Sequence, residues 1–302
     1  MSSPSLPESS VITRLRAAGC VFAEDEARLI ISTARTPADL ATMVDRRASG
    51  LPLEHVLGWA EFCGLRVAVD PGVFVPRRRT EFLIRQAAAL ARQATGPADH
   101  PPDQALDRPR AVVVDLCCGS GAIGAALAAA LGQIDLHAVD IDPAAVRCAR
   151  RNVAAAGGQV YEGDLYEPLP ATLRGRVDVL VASAPYVPTE AIRLLPAEAR
   201  VHEPRLALDG GADGLDVVRR VTAGAPLWLA PGGCLLVETS ERQAAKTVEA
   251  VARNGLIPRV VGSGEFHATV VIGTRPAHPS SAGSTSVVRE CPEPRRDAGQ
   301  VI

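Results

Sequence analysis

Three aspartates and a short polar motif stand at the ends of apolar runs, and their types and spacing suggest chemistry. Asp115 closes Val112-Val113-Val114 and precedes Cys117-Cys118-Gly119-Ser120-Gly121-Ala122-Ile123-Gly124. Gly119, Gly121 and Gly124 spell GxGxxG between a strand pattern and a helix pattern. Asp140 follows at about the distance of a ribose-binding acid, so a dehydrogenase has to be considered. Against it stands Asp115, four residues before the first glycine, where a dinucleotide fold keeps an apolar residue. A carboxylate there suits an ammonium, held directly or through water. The D-x-x-x-G-x-G arrangement thus fits a loop around the amino-acid end of S-adenosylmethionine, which has no pyrophosphate to bind. Asp140 can accept from both ribose hydroxyls through its two oxygens, and Asp164, in Gly163-Asp164-Leu165-Tyr166, can accept from an adenine amino group. Either residue alone is more often a cap or a turn, and Asp142-Pro143 reads as the cap of the next helix. Their joint placement at three successive strand ends, where open α/β sheets bind ligands, favours a cofactor site. That site takes in Asp115, Cys117, Gly119, Ser120, Gly121, Asp140, Ile141, Asp164 and Leu165.

The elements that must position these residues alternate. Strand patterns are expected at Ala111–Leu116, Leu136–Ile141, Gln159–Glu162, Val177–Ala182, Cys234–Glu238 and Thr269–Gly273. Helical spacing falls between them at Ala122–Leu131, Pro143–Ala156, Leu215–Ala223 and Arg242–Asn254. Near-continuous apolar strands separated by helices imply a parallel sheet covered on both faces. Upstream, Ser9–Ala18, Glu24–Ala34 and Pro37–Ala48 carry helical spacing, the third opened by Thr36-Pro37. Leu53 to Val75 reads as a hairpin-like connector, and a further helix runs from Thr80 to Arg92. Thr95 to Arg110 is proline-rich loop, and 276–302 is read as a disordered tail, poor in large apolar side chains.

The bulk composition excludes little but directs the reading. In 302 residues, 47 % hydrophobic content and a net charge of −2 describe an ordinary soluble chain with no call for a nucleic-acid or membrane partner. Lys246 is the only lysine, so the many arginines reflect compositional bias rather than a phosphate-binding surface. The seven cysteines form no CxxC pair. Free thiols in a reducing cytoplasm are expected, with no disulfide framework and no metal site.

The fourth strand pattern ends in Ser183-Ala184-Pro185-Tyr186. With the Asp115 loop, Val139-Asp140-Ile141-Asp142-Pro143 and Gly163-Asp164-Leu165, further blocks complete a pattern. They are Pro52-Leu53-Glu54-His55-Val56-Leu57-Gly58, Val75-Pro76-Arg77 with Thr80-Glu81, His202-Glu203-Pro204-Arg205-Leu206-Ala207-Leu208 and Gly210-Gly211-Ala212-Asp213-Gly214-Leu215. The chain resembles the HemK/PrmC family of glutamine methyltransferases that modify peptide-chain release factors, over most of its length to about Arg275. The last two blocks carry the likeness most specifically.

The resemblance implies an α/β fold: a seven-stranded, Rossmann-like class I methyltransferase sheet over 76–275, behind a small N-terminal helical substrate-recognition domain over 1–75. It implies S-adenosyl-L-methionine as cofactor and a release factor, modified at a Gly-Gly-Gln loop, as protein partner in the cytoplasm. The family's reacting motif is Asn-Pro-Pro-Tyr, in which the asparagine oxygen and the next carbonyl accept the two hydrogens of a substrate amide. An amide nitrogen is a poor nucleophile because its lone pair is conjugated. Fixed acceptors and a stacked aromatic ring turn that lone pair towards the methyl group. Here Ser183 stands for asparagine and Ala184 for the first proline, with Pro185 and Tyr186 retained. The serine oxygen lies about 1.5 Å closer to the backbone, so the acceptor contact is shortened. The carbonyl of Ala184 remains.

Two other departures are visible. Cys117 replaces a loop glycine and is expected to pack rather than react, given an ordinary backbone angle. Arg78 and Arg79 replace Pro-Glu, and with Arg77 they are expected to form a solvated turn rather than a partner contact. A methyltransferase retargeted to another nitrogen, in a small molecule or a nucleobase, and a cofactor-binding protein that has lost catalysis are the competing readings.

Overall fold

The computed structural model describes residues 6–94 and 110–277. The proline-rich 95–109 and the tail from 278 lie outside the described residues.

Helices α1 (Glu8–Ala17), α2 (Ala23–Thr33) and α3 (Pro37–Ala48) form where the apolar spacing puts them, and bury Val11, Leu15, Ile30 and Val44 against one another. Thr36 caps α3 by accepting from the Asp39 N–H at 3.1 Å. The stretch read as a connector opens with a five-residue helix, α4 (Leu53–Leu57), too short to show a period. A hairpin follows, β1 (Trp59–Phe62) against β2 (Leu65–Ala68). Ala60, Val69, Val73 and Val75 pack on Ala145 and Cys148, which seats the connector against the sheet-covering helix α7 (Pro143–Val153). Arg47 ties the helices to the other side of the site. Its guanidinium bonds Glu26 at 2.6 Å and Glu198 at 3.0 Å.

The remaining elements are α5 (Glu81–Ala94), β3 (Ala111–Leu116), α6 (Ala122–Leu131), β4 (Ile134–Asp140), β5 (Gln159–Glu162), β6 (Val177–Ala182), α8 (Ala197–His202), α9 (Arg205–Leu208), α10 (Asp216–Trp228), β7 (Leu229–Thr239), α11 (Ala244–Arg253), β8 (Ile257–Ser263) and β9 (Ala268–Thr274). The seven-stranded sheet runs β5–β4–β3–β6–β7–β9–β8. The first five strands are parallel, whereas β9 runs antiparallel to both β7 and β8. The sheet is therefore mixed, not parallel throughout. Alternate residues feed two apolar layers. Val113, Val179 and Val181 join α5 and α6 on one face, and Val112, Val114 and Leu180 join α10 on the other.

β8 carries no strand signal in the sequence, for a physical reason. It is an edge strand with Ile257 and Val260 exposed and Pro258 within it, a residue tolerated in sheets mainly at edges. Helix α10 likewise passes through Pro226 to the buried Trp228 and outruns its expected end at Ala223. The helix expected to reach Ala156 ends at Val153 and closes in a tighter turn. From β3 the chain moves through β4 to β5 at one edge, then returns to β6 on the far side of β3. The carboxyl ends of β3 and β6 thus flank a topological switch point, the place where open α/β sheets bind ligands.

Candidate active site

A cavity opens at that switch point. The strand-end residues Cys117, Gly119, Ser120, Asp140, Ile141, Asp164, Leu165, Ser183 and Pro185 all line it. Asp140, at the tip of β4, is held by two backbone donors. Its Oδ2 accepts from the Gly119 N–H at 2.8 Å and its Oδ1 from the Asp142 N–H at 2.9 Å. Each carboxylate oxygen keeps a second lone pair. Burial pushes the Asp140 carboxyl above its ordinary range, and the two N–H bonds oppose that shift. Asp142 caps α7 as expected, accepting from the Ala144 N–H at 2.8 Å. Gly119 has φ 54°, and a Cβ there would meet nothing within 4 Å, so any side chain would project into free space beside the loop. Ile141 lines the cavity while 48 % exposed, an apolar surface left open at its rim.

Asp115 stands apart from the cavity lining. It is fully buried, and its Oδ2 accepts from the Gly124 N–H at 3.0 Å, which braces the first turn of α6. Its Oδ1 has no partner within the protein. Desolvation pushes this carboxyl up to about 7. Gly121, also absent from the lining, packs against Ala149 of α7. Asp164 is engaged by Arg220, 2.6 Å away. An adenine amino group there would share the carboxylate with this guanidinium, which comes from 56 residues further along the chain.

Cys117 departs from the expected ordinary backbone: its φ is 55°. That is the left-handed region, costly for a residue with a Cβ, so a glycine conformation is being held by a cysteine. Burial raises its thiol, and the Asp140 and Asp115 carboxylates push it the same way. A protonated thiol is no nucleophile, which agrees with a packing role. The six described cysteines are all free.

Residues 183–186 follow directly on the end of β6. Ser183 and Pro185 face the cavity, and the Ala184 side chain is buried. Tyr186 lines a second cleft with Arg79, Glu238, Ser263 and His267. The motif thus forms a wall between two recesses, one lined by Ser183 and Pro185 and the other by Tyr186. The Gly210–Leu215 block braces this wall. The Gly210 N–H bonds the Val187 carbonyl at 2.9 Å, and the Gln243 side chain donates to the Tyr186 carbonyl at 2.9 Å. At Gly214 (φ 77°) a Cβ would lie 2.3 Å from the Tyr186 carbonyl oxygen. Glycine is required there by both backbone angle and space.

The arginine run is solvated only in part: Arg78 and Arg79 are exposed, but two of the three guanidiniums hold buried carboxylates. Arg77 bonds the buried Glu203 at 2.5 Å and lies over the Phe74 ring, while Arg79 bonds the buried Glu238 at 2.9 Å. Only Arg78 has no such buried carboxylate partner among the described residues. Glu238, the penultimate residue of β7, is readable by the criterion that singles out Asp140, an acid at the end of an apolar strand run. Phe62, Phe74 and Arg220 also line the cavity and carried no such signal.

Comparisons with known proteins bear on the family and the fold. The Methyltransferase small domain family matches residues 104–213. A release factor glutamine methyltransferase of Geobacter sulfurreducens is 39 % identical over 224 residues, covering 72 % of each chain. That of Mycolicibacterium smegmatis is 40 % identical over 235 residues, covering 76 % of this chain and 78 % of its own. Among solved structures, the hMettl16 catalytic domain in complex with a MAT2A 3'UTR hairpin superposes with a TM-score of 0.51 at 13 % identity, covering 81 % and 82 % of the two chains, which shows the fold alone. On identity, coverage and the seven-stranded sheet, the chain belongs to the release factor glutamine methyltransferase family.

Proposed function

We propose that this chain moves the methyl group of S-adenosylmethionine to the side-chain amide nitrogen of a glutamine in a peptide-chain release factor. The carrying observation is the wall at 183–186, with a strand-end cavity behind Ser183 and Pro185 and a polar cleft on the Tyr186 side. The cavity residues fit the cofactor. Asp140 offers two free lone pairs to ribose hydroxyls, Gly119 leaves its loop open, and Ile141 and Leu165 supply apolar surface. Asp115 keeps one unpartnered oxygen that an ammonium, or a water bridging to it, would satisfy. When bound, the cofactor supplies a methyl group made electrophilic by a sulfonium.

The chain's own residues then orient the acceptor. The Ser183 hydroxyl and the Ala184 carbonyl accept the two amide hydrogens, and the Tyr186 ring holds the amide plane. Fixed acceptors aimed at the reacting nitrogen lower the barrier by pre-orientation, and direct transfer needs no covalent enzyme intermediate. Residues 76–275 form the catalytic part in this reading, and the helices within 1–75 recognise the protein substrate. No helix among the described residues is long and apolar enough to cross a membrane.

The test is transfer of a labelled methyl group to an isolated release-factor domain by wild type, Ser183→Asn and Tyr186→Ala. Wild type labels the glutamine, Ser183→Asn equals or exceeds it by restoring reach, and Tyr186→Ala loses most activity. Labelling absent from wild type and Ser183→Asn alike, with cofactor still bound, defeats the glutamine reading. The serine in the asparagine position favours one second reading, a different acceptor nitrogen. Ser183→Asn would then lower transfer to that acceptor while the release-factor domain stays unlabelled.

A further inference from the structure

Outside the cofactor cavity, the side-chain bonds of one buried carboxylate gather three separate parts of the chain beside the acceptor wall. Glu238 is the penultimate residue of β7, with its side chain 3 % exposed. Its Oε1 accepts from Arg79 Nε at 2.9 Å and from the Tyr186 hydroxyl at 3.3 Å, and its Oε2 accepts from the Thr80 hydroxyl at 2.6 Å. The Arg79 guanidinium in turn lies 5.6 Å from the centre of the Tyr186 ring. A strand end, the turn that opens α5 and the reacting motif are joined through two oxygens.

The consequence for Tyr186 is geometric. A tyrosine side chain has two torsions, and a free hydroxyl leaves the tilt of the ring to packing alone. Here the hydroxyl is anchored and a cation covers one face, so a planar acceptor group can meet only the remaining face. Burial and the neighbouring carboxylate both push the phenol above its ordinary range, which keeps it a hydrogen-bond donor to Glu238. The arginine and glutamate also offset each other's charge where a neutral amide would rest.

We propose that Glu238 is a positioning residue of the acceptor site, fixing the tilt of the Tyr186 ring and holding Arg79 over one face so that a planar, uncharged side-chain amide is presented at Ser183. This rests on the reading above in which the Tyr186 ring holds the amide plane. Glu238 lies outside the cofactor cavity and acts through the tyrosine.

The experiment compares wild type, Glu238→Gln, Tyr186→Phe and the double variant as full-length chains. Glutamine keeps the volume but offers one acceptor oxygen where three donors converge, and phenylalanine removes only the anchored hydroxyl. With the isolated release-factor domain as acceptor, each single variant should lose about tenfold or more in kcat, on the scale of other orientation losses. Cofactor affinity by calorimetry should stay within about twofold, because Glu238 and Tyr186 do not line that cavity. The double variant should lose little more than either single one, since both break the same bond. Full additivity, or a folded Glu238→Gln with wild-type kcat, would overturn the proposal. Should Glu238→Gln fail to fold, Tyr186→Phe at wild-type kcat would overturn it alone.

One readout needs no turnover, so a wrong acceptor and a wrong role for Glu238 remain separable. The ¹³C resonance of the Tyr186 ring carbon that bears the hydroxyl, assigned by its loss in Tyr186→Phe, should move in Glu238→Gln. An unmoved resonance would defeat the positioning role whichever substrate is methylated.

Discussion

Replacing Gly214 by alanine adds one carbon on the side of the acceptor wall away from the cofactor. The new Cβ would lie 2.3 Å from the Tyr186 carbonyl oxygen and 2.4 Å from the Gln243 amide nitrogen that bonds it. An unstrained carbon–oxygen contact is wider by about 1 Å, on the scale of ordinary non-bonded separations, so either the wall or Gly214 must move. If both hold, the left-handed backbone costs about 1–2 kcal/mol and the overlap about 1–3 kcal/mol more. At about 2–4 °C per kcal/mol in a chain of this size, melting falls by roughly 4–20 °C. If the wall yields, a displacement near 1 Å at the acceptor carbonyls costs on the order of 100-fold in transfer. Gly214 does not line the cofactor cavity, so calorimetry should find cofactor affinity close to wild type while transfer to the release-factor domain collapses. Gly262→Ala serves as the control, because its Cβ would meet only the Ala268 carbonyl at 3.7 Å. A folded Gly214→Ala within threefold of wild-type transfer would refute the claim that this glycine sets the position of the wall.

Three further outcomes follow from the cofactor side. Asp140→Ala should weaken S-adenosylmethionine binding by about 1.5–3 kcal/mol, the scale of hydrogen bonds to a charged group, and unchanged calorimetric affinity would remove Asp140 from the site. Cys117→Gly should relieve the left-handed strain and raise stability by up to about 1 kcal/mol in urea unfolding, less the extra freedom of glycine in the unfolded chain. A clear loss of stability would mean that the thiol's packing outweighs the strain. The Asp115 carboxyl titrates near 7 in the fold, against 3.8 for an ordinary aspartate. The folded state therefore binds the extra proton between those values, and this group's contribution to stability falls as pH rises from about 4 to about 7. Asp115→Asn should flatten that slope in urea unfolding at pH 5, 6, 7 and 8, and an unchanged slope would place the titration elsewhere.

Several parts of this molecule were readable because their causes are local in sequence. The strand-end aspartates announce themselves by apolar runs before them and helix starts after them, and Asp142-Pro143 and Thr36-Pro37 carry their capping chemistry within three residues. The arginine run was misread because its partners are remote. Glu203 lies 126 residues beyond Arg77, and Glu238 lies 159 residues beyond Arg79. Nothing in a short window shows a buried carboxylate arriving from another strand. Cys117 hides its backbone angle because residue type reveals φ only statistically, and here tertiary context imposes a glycine conformation on a cysteine. Strand β8 was lost for want of contrast, since an exposed edge containing proline looks like loop.

A wall with a chamber on either side also bears on the order of events and on inhibition. A ligand that fills the chamber behind Ser183 need not overlap one lodged beside Tyr186, so the two can come and go in either order. In the proposed reading, spent cofactor can be exchanged while the protein acceptor stays docked. Inhibitors directed at one chamber should leave occupancy of the other intact and appear noncompetitive against its ligand.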